Sequence, residues 1–152
     1  PWYRTAHTIL FYVSYDNEVN THDMIKESLL NGKTVLVPKT DTRKKTICLS
    51  KLLSWDDLSS GEYSILEPRE DCTREVPSST VELLIVPGVV FDIYGNRIGH
   101  GMGYYDRLLK TTVQAHSIGL AFEYQIIKSI PAEEHDEKVE MIVTEDRCIH
   151  GH

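Results

Sequence analysis

The segment that most constrains the fold of this chain is ELLIV at residues 82–86, a short run rich in aliphatic residues. Such a run without polar alternation is typical of a strand that is covered on both faces. Pro87 and Gly88 end the strand, because proline offers no N–H donor and glycine permits a turn. The segment therefore predicts a buried strand inside a layered molecule.

The rest of the chain alternates short apolar strands with helical segments. A helix is predicted at residues 21–30, with Thr21 as its cap and Asn31-Gly32 at its end. Strand, helix and strand within residues 8–37 form a βαβ unit, which implies a parallel pair with a right-handed crossover. The pattern predicts an α/β domain with a mostly parallel sheet flanked by helices. The other strands are predicted at residues 8–15, 34–37, 46–49, 117–121 and 141–144.

Several boundaries are also predicted. Pro38 is expected to stop the second strand, because it cannot donate a hydrogen bond to the sheet. Residues 67–79, with two prolines, predict a long irregular connection, and residues 124–128 predict a helical turn. Residues 141–144 are expected to form the final strand.

A glycine-rich loop carries the clearest chemical signal, with glycines at positions 99, 101 and 103 before a predicted helix. Successive N–H groups of such a loop can point into one concavity, and the helix adds the positive end of its dipole. This pattern favours a phosphate site, with a flexible turn as the alternative. Arg97 adds a cation, and Asp106 could hold a divalent metal ion that bridges phosphate oxygens.

Three candidate site segments each follow a predicted strand. They are Glu18, the loop at Gly99 and Asp136. In open α/β sheets ligands collect beyond the carboxyl ends of the strands, so these segments could share one edge of the sheet.

Size and charge restrict the class of protein. The chain has 152 residues, the size of one domain, and a net charge of −7, which argues against nonspecific binding to nucleic acid or anionic membranes. The three cysteines form no C-x-x-C pair and are expected to be reduced thiols of a cytoplasmic protein. No apolar run approaches membrane-spanning length, and no signal peptide is visible.

The segment PGVVFDIYGNRIGHGMGYYDRLL resembles the signature of the 5-formyltetrahydrofolate cyclo-ligase family. That pattern is P-G-hydrophobic-x-F-D followed by G-x-R-hydrophobic-G-x-G-x-G-Y-Y-D, and all of its fixed positions are present. Further similar segments occur in order along nearly the whole chain: FYVSYDNEV, VLVPK, EP at Glu67-Pro68, GLAFEYQ, IPAEEHDEKVE and VTE. The resemblance implies a Rossmann-like α/β fold.

The resemblance also implies a reaction. The family converts 5-formyltetrahydrofolate and ATP to 5,10-methenyltetrahydrofolate, ADP and phosphate, with Mg²⁺ and a phosphorylated formyl intermediate. An N-formyl group is a poor electrophile with a poor leaving group, and phosphorylation of its oxygen corrects both. Such chemistry needs positioning and charge neutralisation more than a side-chain nucleophile. No G-x-S-x-G or H-E-x-x-H motif points to another mechanism.

Site residues follow from the resemblance, position by position. The residues implied to be catalytic are Arg97, Tyr104 and Asp106, and the metal ligands are Asp106 and Asp136. The ATP segment comprises Arg97, Ile98, Gly99, His100, Gly101, Met102, Gly103, Tyr104 and Tyr105. The folate-binding residues are Val13, Glu18, His100, Gly101, Met102, Gly103 and Tyr104.

Two departures from the family pattern affect ATP. Residues 1–152 are expected to form one domain of this family without the N-terminal basic helix that commonly grips ATP phosphates. Family loops often carry lysine or arginine between the glycines, where this chain has His100 and Met102. We therefore expect weaker ATP binding, or binding that shifts toward lower pH, where His100 could be charged. A monomer is expected.

Two alternatives stay open from the sequence. One is a homologue that binds a nucleotide or folate without turnover, against which the joint presence of Arg97, Asp106, Asp136 and Glu18 argues. The other is a phosphosugar isomerase or acyl-CoA transferase-like enzyme on a related scaffold, which would not by itself require the GYYD segment.

Overall fold

The computed structural model describes residues 2–41, 44, 46–61, 65–99, 103–131 and 137–150. Within these ranges the helices are α1 (Trp2–Thr5), α2 (His22–Leu30) and α3 (Tyr104–Thr111). The strands are β1 (Thr8–Leu10), β2 (Thr34–Asp41), β3 (Thr46–Leu52), β4 (Leu58–Ser60), β5 (Leu66–Pro68), β6 (Glu75–Val76), β7 (Leu83–Val86), β8 (Val90–Asp92), β9 (Arg97–Ile98), β10 (His116–Leu120), β11 (Ile126–Ile127), β12 (Met141–Val143) and β13 (Cys148–His150).

The main sheet has eight strands in the order β13-β12-β10-β7-β1-β2-β3-β6. The five middle strands, from β12 to β2, run parallel to one another. The strands β13, β3 and β6 extend the sheet with antiparallel pairs. All four residues of β7 are buried, as the aliphatic run predicts. The predicted α/β domain with a mostly parallel sheet is confirmed.

The βαβ unit formed by β1, α2 and β2 is confirmed, with Thr8 of β1 opposite Thr34 of β2. Ile25 and Ser28 form the buried face of α2. Thr21 precedes the helix as predicted, but its hydroxyl does not cap it. The hydroxyl donates to the Tyr12 carbonyl at 2.7 Å and accepts the Ser14 N–H at 3.0 Å. It therefore fixes the segment after β1 to the start of α2.

Two strand boundaries differ from the prediction. The first strand ends at Leu10 instead of residue 15, and the chain beyond it stays buried without strand pairing. Pro38 does not stop β2, which runs on to Asp41 and pairs Pro38 with Leu49 of β3. Because β1 ends opposite Leu36, this part of β2 has no β1 partner on that side, and a missing N–H donor is tolerated there.

The later part of the chain contains more short strands than the pattern predicts. The expected final strand, β12, is followed by β13, which pairs with it antiparallel. The helical turn expected at residues 124–128 is a 3₁₀ turn at Glu123–Gln125 followed by β11. The connection at residues 67–79 includes β6 and two further 3₁₀ turns. Strands of two or three residues carry too little periodicity to be recognised from sequence.

A small second sheet, in the order β11-β8-β9, lies against the main sheet through Phe91. Phe91 is fully buried. A Cβ atom on Gly88 would lie 2.7 Å from its ring, and one on Gly119 would lie 2.6 Å from it. The ring therefore packs where two glycines leave room, and this fixes the β8–β9 hairpin near the ends of β7 and β10.

The core consists of two clusters that divide the alternating side chains of the strands. Leu10, Leu84 and Leu108 belong to one cluster, whereas Ile9, Leu83 and Ile25 belong to the other. Since successive strand residues point to opposite faces, α2 and α3 cover opposite faces of the sheet. Tyr105 packs against both clusters. The described helices include none that is long and apolar enough to cross a membrane.

Candidate active site

The candidate site lies where three neighbouring parallel strands end. The segment at residues 11–20 follows β1, Pro87 and Gly88 follow β7, and Phe122 follows β10. These strands are adjacent in the order β10-β7-β1. Ligands of open α/β sheets bind at this edge, so its polar and aromatic side chains are the first candidates for chemistry.

Arg97 is the buried cation of the site. Its side chain is only 5% exposed, its Nε donates to the Pro87 carbonyl at 3.0 Å, and its Nη1 lies 3.3 Å from Asp106 Oδ1. Burial lowers the pKa of Arg97, and Asp106 opposes the shift. Arginine nevertheless stays charged at neutral pH. The guanidinium is therefore a fixed positive charge at the end of β7.

The two described loop glycines serve different purposes. A Cβ atom on Gly99 would lie 2.5 Å from Arg97 Nη2, so only a glycine leaves the guanidinium in place. Gly103 precedes α3 with a φ of 72°, in the left-handed region that favours glycine, and a Cβ atom there would meet nothing within 4 Å. No side chain caps α3 at Gly103.

The remaining candidates of this loop have distinct environments. Ile98 is exposed on β9, and Tyr104 is half-buried with the Arg107 guanidinium 5.3 Å from its ring centre. The Asp106 side chain is 40% exposed, although it pairs with Arg97. His100, Gly101, Met102 and Asp136 lie outside the described residues.

Glu18 lies in a tight turn after β1. Its Oε1 accepts the Tyr15 N–H at 3.0 Å, and its own N–H donates to the Tyr15 carbonyl at 3.2 Å. Asp16 within this turn has a φ of 53°, which is unusual for a residue with a Cβ atom. Val13 lies upstream with its side chain 4% exposed, packed in the core. The hydrogen bonds of this turn thus fix the position of the Glu18 carboxylate.

Tyr105 lies beside Arg97, and the charges of both Glu18 and Arg97 influence its pKa. Burial raises the pKa of Tyr105, the Glu18 carboxylate raises it further, and Arg97 opposes the shift. Burial and then Glu18 also raise the pKa of Tyr12, whose hydroxyl donates to the Val19 carbonyl at 2.9 Å. The Arg97 guanidinium lies 5.8 Å from the Tyr105 ring centre. The pKa of one partly buried tyrosine is therefore influenced by both charges.

A cleft opens on the Glu18 side of the site. It has a volume of about 340 Å³ and is lined by Asp16, Asn17, Glu18, Phe122 and Tyr124. A narrower crevice is lined by Glu18 together with Tyr12, Val19, Pro87, Gly88, Leu120 and Gln125. Glu18 therefore shares a crevice with the residue whose carbonyl accepts the Arg97 hydrogen bond.

The aromatic wall of this cleft was not predicted from the sequence. Phe122 and Tyr124 lie two and four residues beyond the end of β10, with ring centres 5.6 Å apart and planes inclined by 7°. The available signal was their position, because side chains just beyond a buried parallel strand belong to the ligand edge. The helical turn predicted at residues 124–128 includes Tyr124 but not Phe122, and a helical turn hides the relation between the two rings.

Asp92 is a buried residue that holds the backbone next to the site in place. It is fully buried and accepts four hydrogen bonds, from the N–H groups of Tyr94, Asn96 and Ile130 and from the Asn96 side chain. Burial alone would raise the pKa of Asp92, but these donors outweigh it and lower the pKa. Asp92 thus fixes the β8–β9 turn immediately before Arg97.

The donor set fits a nucleotide phosphate with a hard divalent cation. Arg97 offers a buried charge, the start of α3 offers N–H groups without a side-chain cap, and Asp106 offers a half-exposed carboxylate. Among the described residues no group of three or more His, Cys, Asp or Glu side chains comes together. Magnesium is usually held by one or two carboxylates plus phosphate oxygens and water, so a carboxylate such as Asp106 suffices as a protein ligand.

Comparisons with known proteins identify the relatives of this chain. Residues 1–145 match the model of the 5-formyltetrahydrofolate cyclo-ligase family. The 5-formyltetrahydrofolate cyclo-ligase of Mus musculus is 34% identical over 154 residues, which cover 95% of this chain and 76% of the mouse protein. The corresponding protein of Escherichia coli strain K12 is 31% identical over 142 residues, covering 91% of this chain and 78% of its own length.

A solved structure agrees with these sequence matches. The NMR structure of Aquifex aeolicus 5,10-methenyltetrahydrofolate synthetase has a TM-score of 0.80 and 32% identity to this chain. The superposition covers 97% of this chain and 72% of that one. By sequence and by fold, the chain belongs to the 5-formyltetrahydrofolate cyclo-ligase family.

Proposed function

We propose that this protein converts 5-formyltetrahydrofolate and ATP to 5,10-methenyltetrahydrofolate, ADP and phosphate, with Mg²⁺ as the metal ion. The formyl oxygen leaves in the phosphate, and N10 of the folate forms the new bond to the formyl carbon as it loses its proton. ATP with Mg²⁺ supplies the activated phosphoryl group for this exchange. Family membership supports the reaction class.

The observation that carries the proposal is the crevice that the two parts of the site share. Glu18 lines one crevice with Pro87, and the Pro87 carbonyl holds the Arg97 guanidinium at 3.0 Å. The Tyr105 ring centre lies 5.8 Å from the Arg97 guanidinium, and the Glu18 carboxylate raises the pKa of the same tyrosine. A phosphoryl group can reach a formyl oxygen only if the two ligands bind side by side, and this arrangement supports such binding.

Each residue has a role that its environment suits. The Glu18 carboxylate accepts hydrogen bonds from the amino and ring N–H groups of the pterin. Arg97 binds phosphate oxygens with a charge that is already buried and oriented, so little reorganisation is needed as charge moves. Asp106 holds the metal ion near the start of α3, and Asp136 is proposed as its second ligand. Tyr104 bounds the folate beside the loop.

The test is the absorbance of the methenyl product formed from 5-formyltetrahydrofolate by the purified chain. We expect product when ATP and Mg²⁺ are both present and none when either is omitted. Release of ADP and phosphate should match product one to one. ATP hydrolysis without methenyl formation, or folate binding without turnover, would contradict the proposal. A monomeric state and a cytoplasmic location stay predictions.

A further inference from the structure

We propose that Tyr124 is a specificity-determining residue of the cleft and stacks on the p-aminobenzoyl ring of the folate substrate. The cleft is the one lined by Asp16, Asn17, Glu18, Phe122 and Tyr124. This inference rests on the proposed function, and it assigns a contact to a part of the substrate that Glu18 does not hold.

The aromatic wall is fixed before any ligand binds. The Phe122 N–H donates to Gln125 Oε1 at 2.7 Å, and Gln125 Nε2 donates to the carbonyls of Gly88 and Val89 at 3.0 and 3.1 Å. These bonds tie the turn after β10 to the end of β7. Tyr124 stacks on Phe122 yet is 75% exposed. An exposed aromatic ring on an immobilised turn binds a flat ligand with little loss of side-chain entropy.

The acidic side chains that line the cleft disfavour phosphate groups. Asp16 and Glu18 place two carboxylates in it, with Asp16 held in a left-handed backbone conformation. Two carboxylates in one cleft repel a triphosphate, so the cleft suits an uncharged part of a ligand. The pterin and p-aminobenzoyl groups of the folate are uncharged, whereas ATP carries its charges next to the adenosine.

The chemistry of the two folate rings decides which one meets Tyr124. The tetrahydropterin has a reduced, puckered ring and a hydrogen-bonding edge, which suits the Glu18 carboxylate. The p-aminobenzoyl ring is flat and aromatic, which suits offset stacking on a tyrosine. The p-aminobenzoyl ring also carries N10, the atom that closes the new ring. Stacking on Tyr124 therefore orients the nucleophile as well as adding affinity.

The test measures ligand binding by calorimetry, without turnover, for wild type, Tyr124→Ala and Tyr124→Phe. The probes are 5-formyltetrahydrofolate, a 5-formyl-6-methyltetrahydropterin that lacks the p-aminobenzoyl group, and ATP with Mg²⁺. Tyr94→Ala is the matched control, because Tyr94 is a 48% exposed tyrosine of the β8–β9 turn outside the cleft. Removal of an exposed side chain is not expected to unfold the protein.

We expect Tyr124→Ala to weaken the binding of 5-formyltetrahydrofolate by about 3- to 12-fold, within the range for loss of an aromatic pair. The affinity of Tyr124→Phe and of Tyr94→Ala for 5-formyltetrahydrofolate should stay within about twofold of wild type. No variant should change the affinity for the pterin probe or for ATP. Unchanged folate affinity in Tyr124→Ala overturns the inference, as does an equal loss for the pterin probe or for ATP. A wild-type protein that fails to bind 5-formyltetrahydrofolate rejects the proposed function itself.

Discussion

Arg97 shows how one side chain depends on the residues that surround it. Its guanidinium is held by Pro87 on one side and Asp106 on the other, and it lies where any Cβ atom on Gly99 would intrude. A flexible arginine would normally move aside at little cost, but both of those bonds would then be lost. The position of the Arg97 guanidinium therefore requires a glycine at residue 99.

We predict that Gly99→Ala raises the KM for ATP by roughly tenfold, because it displaces Arg97 from the phosphates. Gly103→Ala should act differently, since its Cβ atom meets no neighbour but its φ of 72° is unfavourable for alanine. We expect that variant to lose about 1–2 kcal/mol of unfolding free energy. Steady-state kinetics and urea unfolding of both variants provide the check. An unchanged ATP KM in Gly99→Ala would show that Arg97 does not bind phosphate from this position.

Asp106 could act on the metal ion or only on Arg97, and magnesium titration separates the two. Asp106→Asn keeps an oxygen but removes the charge, so we predict a raised magnesium requirement and a fall in turnover of roughly tenfold or more. Asp23→Asn, an exposed first-turn acid of α2, is the control. If the variant changes ATP affinity but keeps the wild-type magnesium dependence, Asp106 is a partner of Arg97 and not a metal ligand.

The β8–β9 hairpin is the element that carries Arg97, and Asp92 holds it closed. The Asp92 carboxylate joins the turn of the hairpin to Ile130, while the Val139 N–H donates to the Gly95 carbonyl at 2.9 Å. Both sides of the turn are thereby connected to the chain after β11. Loss of the carboxylate should loosen the hairpin before it affects the main sheet.

We predict that Asp92→Asn lowers the unfolding free energy at pH 7 by about 2–4 kcal/mol, because an amide group would face backbone donors. The native pKa of Asp92 lies below its unfolded value of about 3.9, so the carboxylate stabilises the fold fully above that pH. Its contribution is lost as the pH falls through the native pKa. Urea unfolding should show the difference between variant and wild type shrinking below pH 4. A difference that is constant with pH would contradict the assigned charge.

Sequence patterns predicted the elements that are determined by their own residues. The aliphatic residues of β7 and the Asn31-Gly32 end of α2 could be recognised because burial and backbone conformation leave direct traces in composition. The continuation of β2 beyond Pro38 could not be recognised from sequence, because it depends on where the neighbouring strand β1 ends. β13 was missed because its three residues form a strand only through pairing with β12.

At the scale of the whole molecule, the site depends on three strands that are distant in sequence and adjacent in the sheet. Glu18 was found by resemblance and Arg97 by the glycine loop beside it, yet the crevice that Glu18 shares with Pro87, the hydrogen-bond partner of Arg97, follows only from the folded arrangement. The Phe122–Tyr124 wall was missed for the same reason. It lines one cleft with Glu18, although more than one hundred residues separate them in the sequence. Residue chemistry was predictable, whereas the distances between residues were not.

The most direct test of two adjoining ligand sites is the pair of KM values measured for Glu18→Gln. Glutamine keeps the shape of the side chain but replaces one acceptor oxygen with a donor, which opposes the pterin N–H groups. We predict that the KM for 5-formyltetrahydrofolate rises by roughly tenfold or more while the KM for ATP stays within about twofold of wild type. Equal increases for both ligands, or no change for the folate, would contradict the assignment of Glu18 to the folate side of the site.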